Sequence, residues 1–347
     1  MRGFSLLPLI ALGFAGSAFA EDGQSLRSLW PIAPALQDQS AAPAAADPAP
    51  TAPPPMNKGT FLFSDQRFHD DPTIGWEGFI KGMRGFEHFY NPIGNPLYFE
   101  TPFINTGVKF LYLHHEFPDD SQLQGGDLNV YAMQARVAIT DRIAFIATKD
   151  GWSDLDAEIL PEDQGWNDLA LGLKGAFWVD KENDFISTLG FRWMLDNGDD
   201  GILQSGNNEF SPFLSLAKGF DTFHIIANVT GRLPVDDDDG NRIIQWDVHF
   251  DWEILPDVLK GFAPVFEVHG LHYVSDGERF PLSVGGLDYT NLGSSNVDGS
   301  TVVWGEWGAR WKFSPNFSVG ATYGYPFTNR DADIMGGRVT VDFEITW

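Results

Sequence analysis

The stretch GGRVTVDFEITW, residues 336–347, alternates without a break. Val339, Val341, Phe343, Ile345 and Trp347 share one face of an extended strand, and Arg338, Thr340, Asp342, Glu344 and Thr346 share the other. Successive side chains of a strand point to opposite sides, so this segment has one apolar and one charged face. That pairing suits a transmembrane β-barrel, whose apolar face meets hydrocarbon and whose polar face meets a wet lumen. The aromatic residue at the end has the character of a closing strand at the membrane interface.

The pattern recurs upstream. In DLALGLKGAFWV (168–179), Leu169, Leu171, Leu173, Phe177 and Val179 oppose Asp168, Ala170, Gly172, Lys174 and Ala176. In RIIQWDVHFDW (242–252), Ile244, Trp246, Val248, Phe250 and Trp252 oppose Gln245, Asp247, His249 and Asp251. In TVVWGEWGARWKF (301–313), Val303, Trp307, Ala309, Trp311 and Phe313 oppose Glu306, Gly308, Arg310 and Lys312. Period-two segments of this kind predict about twelve strands, near 104–117, 127–139, 142–149, 166–179, 184–195, 209–219, 221–232, 242–252, 262–272, 301–313, 317–325 and 335–347. The connections between them alternate: short at 140–142, 180–184, 219–221 and 314–316, generally longer and polar at 118–126, 150–165, 196–208, 233–241, 273–300 and 326–334. Short periplasmic turns opposite longer external loops are the asymmetry of an outer-membrane barrel, and an even strand count puts both ends of the barrel in the periplasm.

The beginning of the chain agrees with export. Arg2, an apolar run from Phe4 to Phe14 and the small-x-small site Ala18-Phe19-Ala20 form a signal peptide over residues 1–20, so the mature protein is expected to start at Glu21. The apolar run is too short to span a bilayer as a helix. Residues 21–55, ending in AAPAAADPAPTAPPP, are expected to form an extended Pro/Ala tether without a core. Residues 56–103 are dense in aromatics, and TIGWEGFIKGMRGFEHFY predicts a short helix with Trp76, Phe79, Met83 and Phe86 on one side, broken by NPIGNPLYFETP. This piece reads as either a periplasmic cap or a plug for the lumen of the barrel that occupies 104–347.

Composition narrows the function. The chain has 347 residues, no cysteine, 37 glycines and 14% aromatics. A sheet that closes its own hydrogen-bond ladder has no edges to cover, and the lack of cysteine excludes thiol catalysis, cysteine-ligated zinc and c-type haem. A net charge of −26 speaks against nucleic acid, which rewards a basic footprint. Much of the acid lies in loops: Asp119-Asp120, Asp154 to Asp163, Asp199-Asp200 and Asp236 to Asp239.

The run RVAITDRIAFIATKDGW followed by GWNDLALGLKGAFW resembles an outer-membrane barrel family linked to the meta pathway of phenol degradation. In that family a Thr-Asp-Arg turn precedes a strand, and a strand with Gly-x-x-Asp-x-x-x-Gly-x-Lys spacing follows. Gly165, Asp168, Gly172 and Lys174 stand at those positions here. The resemblance covers residues 107–347 and implies an outer-membrane transporter or channel.

Parity assigns the inward set: Lys174, Arg192, His224, Asn228, Arg232, Asp247, His249, Asp251, Glu267, His269, Glu306, Arg310, Arg338, Asp342 and Glu344. Lys174, Arg192, Arg232, Arg310 and Arg338 are expected to give the lumen a basic side, with Glu267, Glu306, Asp342 and Glu344 opposite. Twelve strands lie between eight, where side chains fill a barrel, and the open porins of sixteen or more, so a narrow or partly occluded lumen is expected. His249 and His269, near Asp247, Asp251 and Glu267, suggest metal binding or acid–base work, although histidine–carboxylate pairing is the plainer account. Ser211 in GNNEFSPF is a weak nucleophile candidate, and VDDDDGN and DNGDDG depart from calcium-loop spacing. The favoured function is therefore a non-enzymatic channel for small solutes, small organic or aromatic compounds among them, with outer-membrane lipid around it and no cofactor. The alternative is a closed scaffolding barrel that engages a periplasmic partner through residues 21–103.

Overall fold

Alternation along the chain becomes fourteen antiparallel segments among the described residues of a computed structural model: β1 (Gly107–Glu116), β2 (Gly126–Ala138), β3 (Ile143–Lys149), β4 (Gly151–Ala157), β5 (Asp163–Trp166), β6 (Ala170–Asp180), β7 (Phe185–Met194), β8 (Glu209–Phe220), β9 (Phe223–Pro234), β10 (Ile243–Trp252), β11 (Phe262–Tyr273), β12 (Thr301–Ser314), β13 (Phe317–Pro326) and β14 (Gly337–Thr346). The described residues are 80–149, 151–199, 201–204, 207–236, 238–328 and 334–347. The expected signal peptide, the tether and residues 56–79, with Trp76 and Phe79, lie outside them.

From β6 to β14 each segment pairs with the next, and β1 pairs with both β14 and β2, so the sheet closes on itself. Both β3 and β4 pair with β2, while β6 and β5 continue the wall beside them. The fourteen segments thus make twelve staves of a closed antiparallel barrel. Short connections (139–142, 181–184, 221–222, 315–316) gather at one end, with the longer 253–261, the start of β1 and the close of β14; this is the near end. The connections 117–125, 195–208, 235–242, 274–300 and 327–336 gather at the far end.

Burial is inverted relative to a water-soluble sheet. On β14, Arg338, Thr340 and Asp342 are buried, whereas Phe343 is 48% exposed. The same inversion holds for Lys174 against Leu173 and Phe177, and for Arg310 against Trp307 and Trp311. A closed ladder leaves no backbone donor unpaired, and an outward belt of Leu, Phe, Val, Tyr and Trp is a surface solvated by hydrocarbon.

Residues 150–165, expected to be a loop, instead contain β4 and β5. Here the polarity reverts to that of a soluble sheet. Leu128, Val130, Leu155 and Ala157 are buried inside, while Asp154 and Asp156 are exposed outside. The wall therefore continues past the apolar belt at the far end, and with Asp154 and Asp156 on its outer face it reads as a polar loop.

Before β1 the chain runs inside the barrel. Residues 81–106, the inner segment, enter at the near end, reach the far half and return. Its described part is not the expected helix: Ile80, Gly82 and Gly85 all have positive φ, at 65°, 68° and 106°. The cause is a tight doubling-back. Met83 N donates to Ile104 O at 2.7 Å, and a Cβ on Gly82 would lie 1.9 Å from that same oxygen. At the near end Phe86, Phe89, Phe99, Phe103 and Ile104 pack on Ala138, Ala144, Ala176, Ile186, Ala217 and Ile226. Alanines on four staves leave room for the rings of the inner segment.

The belt makes a depth-dependent prediction. Leu214 lies midway along β8 and Phe220 at its near-end rim, both facing outward. Leu214→Arg is expected to cost about 2–4 kcal/mol and Phe220→Arg about 0–1 kcal/mol. Reversible denaturant unfolding in lipid vesicles measures both, and equal costs would contradict the assigned belt.

Candidate functional site

Strand parity turns the inward set into a wall of ionisable groups, and strand register decides who meets whom. Asp247 of β10 stands opposite His269 of β11, and His249 opposite Glu267. Directly opposed residues of an antiparallel pair are close enough to bond. The result is a ladder: His224 Nδ1 meets Asp251 Oδ1 at 2.5 Å, and Asp251 Oδ2 meets His249 Nε2 at 3.2 Å. His249 Nδ1 then meets Glu267 Oε1 at 2.8 Å, and His269 Nδ1 meets Asp247 Oδ1 at 2.8 Å. Between the last two pairs, His269 Nε2 lies 3.3 Å from Glu267 Oε2, an ion-pair contact too oblique for a hydrogen bond. Both nitrogens of His249 and both of His269 face carboxylates, so these histidines act as links of the ladder. Ser211 donates to Glu209 at 2.8 Å and is buried beside it.

The inner segment caps this ladder with backbone and amide groups. Ile93 N and Gly94 N each donate to Glu267 at 2.8 Å, and Asn95 Nδ2 donates to Asp247 at 2.7 Å. A Cβ on Gly94 would fall 2.3 Å from the Glu306 carboxyl, so any larger residue here would displace that carboxyl. Glu306 itself accepts from Thr322 at 2.7 Å and from Trp304 at 3.1 Å.

Arg310 and Arg338 stand among the carboxylates rather than on a separate basic side. Arg310 Nη2 donates to Asp342 at 2.6 Å, and its Nη1 is 3.7 Å from Glu344. Lys109 of β1 adds a contact to Asp342 at 3.3 Å. Arg310 Nε and Lys109 Nζ also donate to Asn91 O and Pro92 O, at 2.8 and 3.0 Å, while Asn91 Nδ2 donates to Glu344 at 2.7 Å.

The cations of the opposite arc, Arg136 of β2, Lys174 of β6 and Arg192 of β7, converge on one carboxylate from the inner segment. Arg136 donates twice to Glu100, at 2.9 and 2.8 Å, Lys174 once at 2.7 Å and Arg192 once at 3.2 Å. Burial by itself would push the Glu100 carboxyl up; Arg136, Lys174 and Arg192 outweigh it and hold the group well below the usual carboxylate range. Glu100 is therefore an anion wherever it keeps these partners.

Two arginines close the far mouth. Arg338 makes a two-pronged ion pair with Asp288 of the 274–300 loop, at 2.7 and 3.1 Å, and its Nη1 reaches Gly94 O at 3.4 Å. Arg232 donates to Glu209 at 3.2 Å and to Leu287 O at 2.7 Å, and lies 4.3 Å above the ring of Tyr98. Consecutive residues of one loop are thus held by β9 and β14, and each arginine also touches the inner segment.

All fourteen ionisable residues of the inward set, and Asn228, lie inside the barrel and are buried. Parity missed Lys109 and Arg136, whose strands β1 and β2 carry buried leucines or valine toward the far end and so mix polar with apolar inward positions. Glu100 and Asp288 had no local signal, whereas Glu209 stands at the first position of the expected 209–219 strand. The one available hint was the unmatched basic excess on β6, β7 and β9, which required an anion from elsewhere in the chain.

No family model matches the sequence, and no curated protein matches it. Among solved structures, the chain is similar to the COG4313 outer membrane channel from Pseudomonas putida F1, with a TM-score of 0.50 at 12% identity over 75% of this chain and 100% of that one. Matches also include the NanC porin, with a TM-score of 0.40 at 8% identity over 70% of this chain and 98% of that one. The KdgM porin, solved in complex with disordered oligogalacturonate, gives 0.39 at 11% identity over 70% and 99%. The likeness is one of fold: a closed antiparallel β-barrel of the kind seen in that outer membrane channel.

Proposed function

We propose that the protein is a channel of the bacterial outer membrane, closed at rest by its own inner segment and by the 274–300 loop, that passes small solutes when these withdraw. The observation that carries this reading is the nature of the closure. The inner segment is a separate strand-free stretch fastened through Glu100, Asn91 and the peptide groups of 93 and 94, while the barrel ladder closes without it. A wall complete by itself, lined by charge, with a removable filling is the architecture of a gated pore. The apolar belt supports membrane insertion, and the short turns support a periplasmic near end. The resemblance to the phenol-pathway barrels supports a transporter or channel without fixing its substrate; small organic and aromatic compounds are the solutes we propose, and the lumen residues that would meet them are the charged ladder and the rings of the inner segment.

A second reading is favoured by the depth of the same closure. Glu100 is fully buried among three cations, as a permanent seal would be. In that case the barrel is an anchor, and residues 21–103 recruit a periplasmic partner.

Conductance in planar bilayers separates the two. Glu100→Gln leaves three buried cations without their anion, a change worth about 3–5 kcal/mol of native stability, and it is expected to raise open probability well above that of the parent protein. Asp288→Asn frees the far loop from Arg338 and is expected to raise it independently, with the double variant conducting most. Inserted, folded barrels of all three variants that carry no current would establish the anchor.

A further inference from the structure

At the near mouth three side chains from three different elements converge. His88 belongs to the inner segment, Asp184 to the turn between β6 and β7, and His224 to the first residues of β9. One donor atom from each lies within 4.8 Å of the others. We propose that His88, Asp184 and His224 bind a divalent transition-metal ion of the zinc class, which fastens the inner segment to the barrel wall.

The chemistry is set by His224. Its Nδ1 is held by Asp251 at 2.5 Å, which fixes the tautomer with the proton on that side. Its Nε2 is buried and has no hydrogen-bond partner, although the side chain is only 1% exposed. A buried nitrogen left with a free lone pair is costly unless something accepts it, and a metal ion does. The carboxylate–histidine pair behind it is the arrangement that orients and strengthens an imidazole ligand.

The other two donors complete the set. His88 Nε2 and Asp184 Oδ2 are 2.6 Å apart, and both side chains are about one-quarter exposed, which gives an ion a route from the near mouth. A tetrahedral ion with bonds of ~2.1 Å spaces its donors about 3.4 Å apart, so small side-chain rotations suffice. The His88 and His224 rings lie 5.2 Å apart, with Phe89 against both at 4.7 and 4.6 Å, so one wall of the site is apolar. Asp184 is aimed by its backbone, with φ at +52°. Gly219 of β8 makes room for the carboxylate, because a Cβ there would sit 1.8 Å from Asp184 Oδ2. Two imidazoles and one carboxylate suit zinc and its first-row neighbours rather than calcium or magnesium, which take oxygen. Three protein donors leave a fourth position for water. The site stands on this geometry and holds whether or not the lumen conducts.

The test uses the full chain, stripped with chelator and held in detergent micelles, titrated with Zn²⁺ by calorimetry. Co²⁺ provides a spectroscopic probe that Zn²⁺ should displace. One equivalent is expected to bind, with His88→Asn, Asp184→Asn and His224→Gln each weakening it at least 10-fold. Asp251→Asn should weaken it about 10- to 100-fold through the orientation of His224, and His114→Asn, outside the site, should leave it unchanged. Heat-dependent gel migration reports folding of each variant; should His224→Gln not fold, His88→Asn decides, since its side chain is partly exposed and lies off the barrel wall. The proposal is overturned if the parent protein takes up no zinc, or if His88→Asn and Asp184→Asn bind it as tightly as the parent does.

Discussion

A charge taken out of water must meet an opposite charge or be hydrated again, and the interior of this barrel is organised by that demand. The strands point Arg136, Lys174 and Arg192 into one arc, and among the described residues all three make their ion-pair contacts with Glu100. The anion comes from outside the sheet, as Glu100. Arg338 likewise takes its strongest partner from a loop, as Asp288. The inner segment and the 274–300 loop are therefore electrostatic complements of the wall, and their positions follow from where the strands put their cations.

The outward face obeys the opposite demand. With the backbone ladder closed, hydrocarbon tolerates the wall only if its side chains are apolar, and the belt of Phe343, Leu214, Trp307 and their neighbours satisfies that. The two demands act on alternate residues of the same strands. A single-residue slip of register would exchange lumen and lipid faces throughout a stave, so each alternating pair of residues also pins the pairing. The near-end alanines add a third element: by leaving space they let aromatic rings of the inner segment replace the side chains a small barrel would otherwise use to fill itself.

How much of this was legible in the sequence depended on which demand acted. Where both acted, as in β10, β12 and β14, alternation announced the strand and sorted its faces, and Asp247, His249, Glu306, Arg310 and Asp342 were found without coordinates. Where the belt ended, as in β4 and β5, the strands persisted but the signal did not, because Asp154 and Asp156 now face water. The inner segment has no period, since its shape is dictated by what it touches: Gly82 by Ile104 and Gly94 by Glu306. Glu100 and Asp288 were invisible for the same reason, being defined by ion-pair partners 36 to 92 residues away. In place of the expected basic and acidic sides, Arg136, Lys174 and Arg192 share one arc while Arg310 and Arg338 sit among the acids they pair with.

The energetics of such an interior bear on whether it can open. A buried ion pair adds little net stability, because desolvation offsets most of the attraction, yet removing one partner while the other stays buried is expensive. Withdrawal of the inner segment is a different event. It takes Glu100 away and admits water to Arg136, Lys174 and Arg192 at once, so the charges lose each other and regain hydration together. The ion pairs thus choose the closed register sharply while contributing modestly to its depth. Most of the holding free energy must then lie in the apolar contacts of Phe86, Phe89, Phe99 and Phe103 at the near end. Under the proposed gated reading, specificity lies in the charges and adjustability in a few rings.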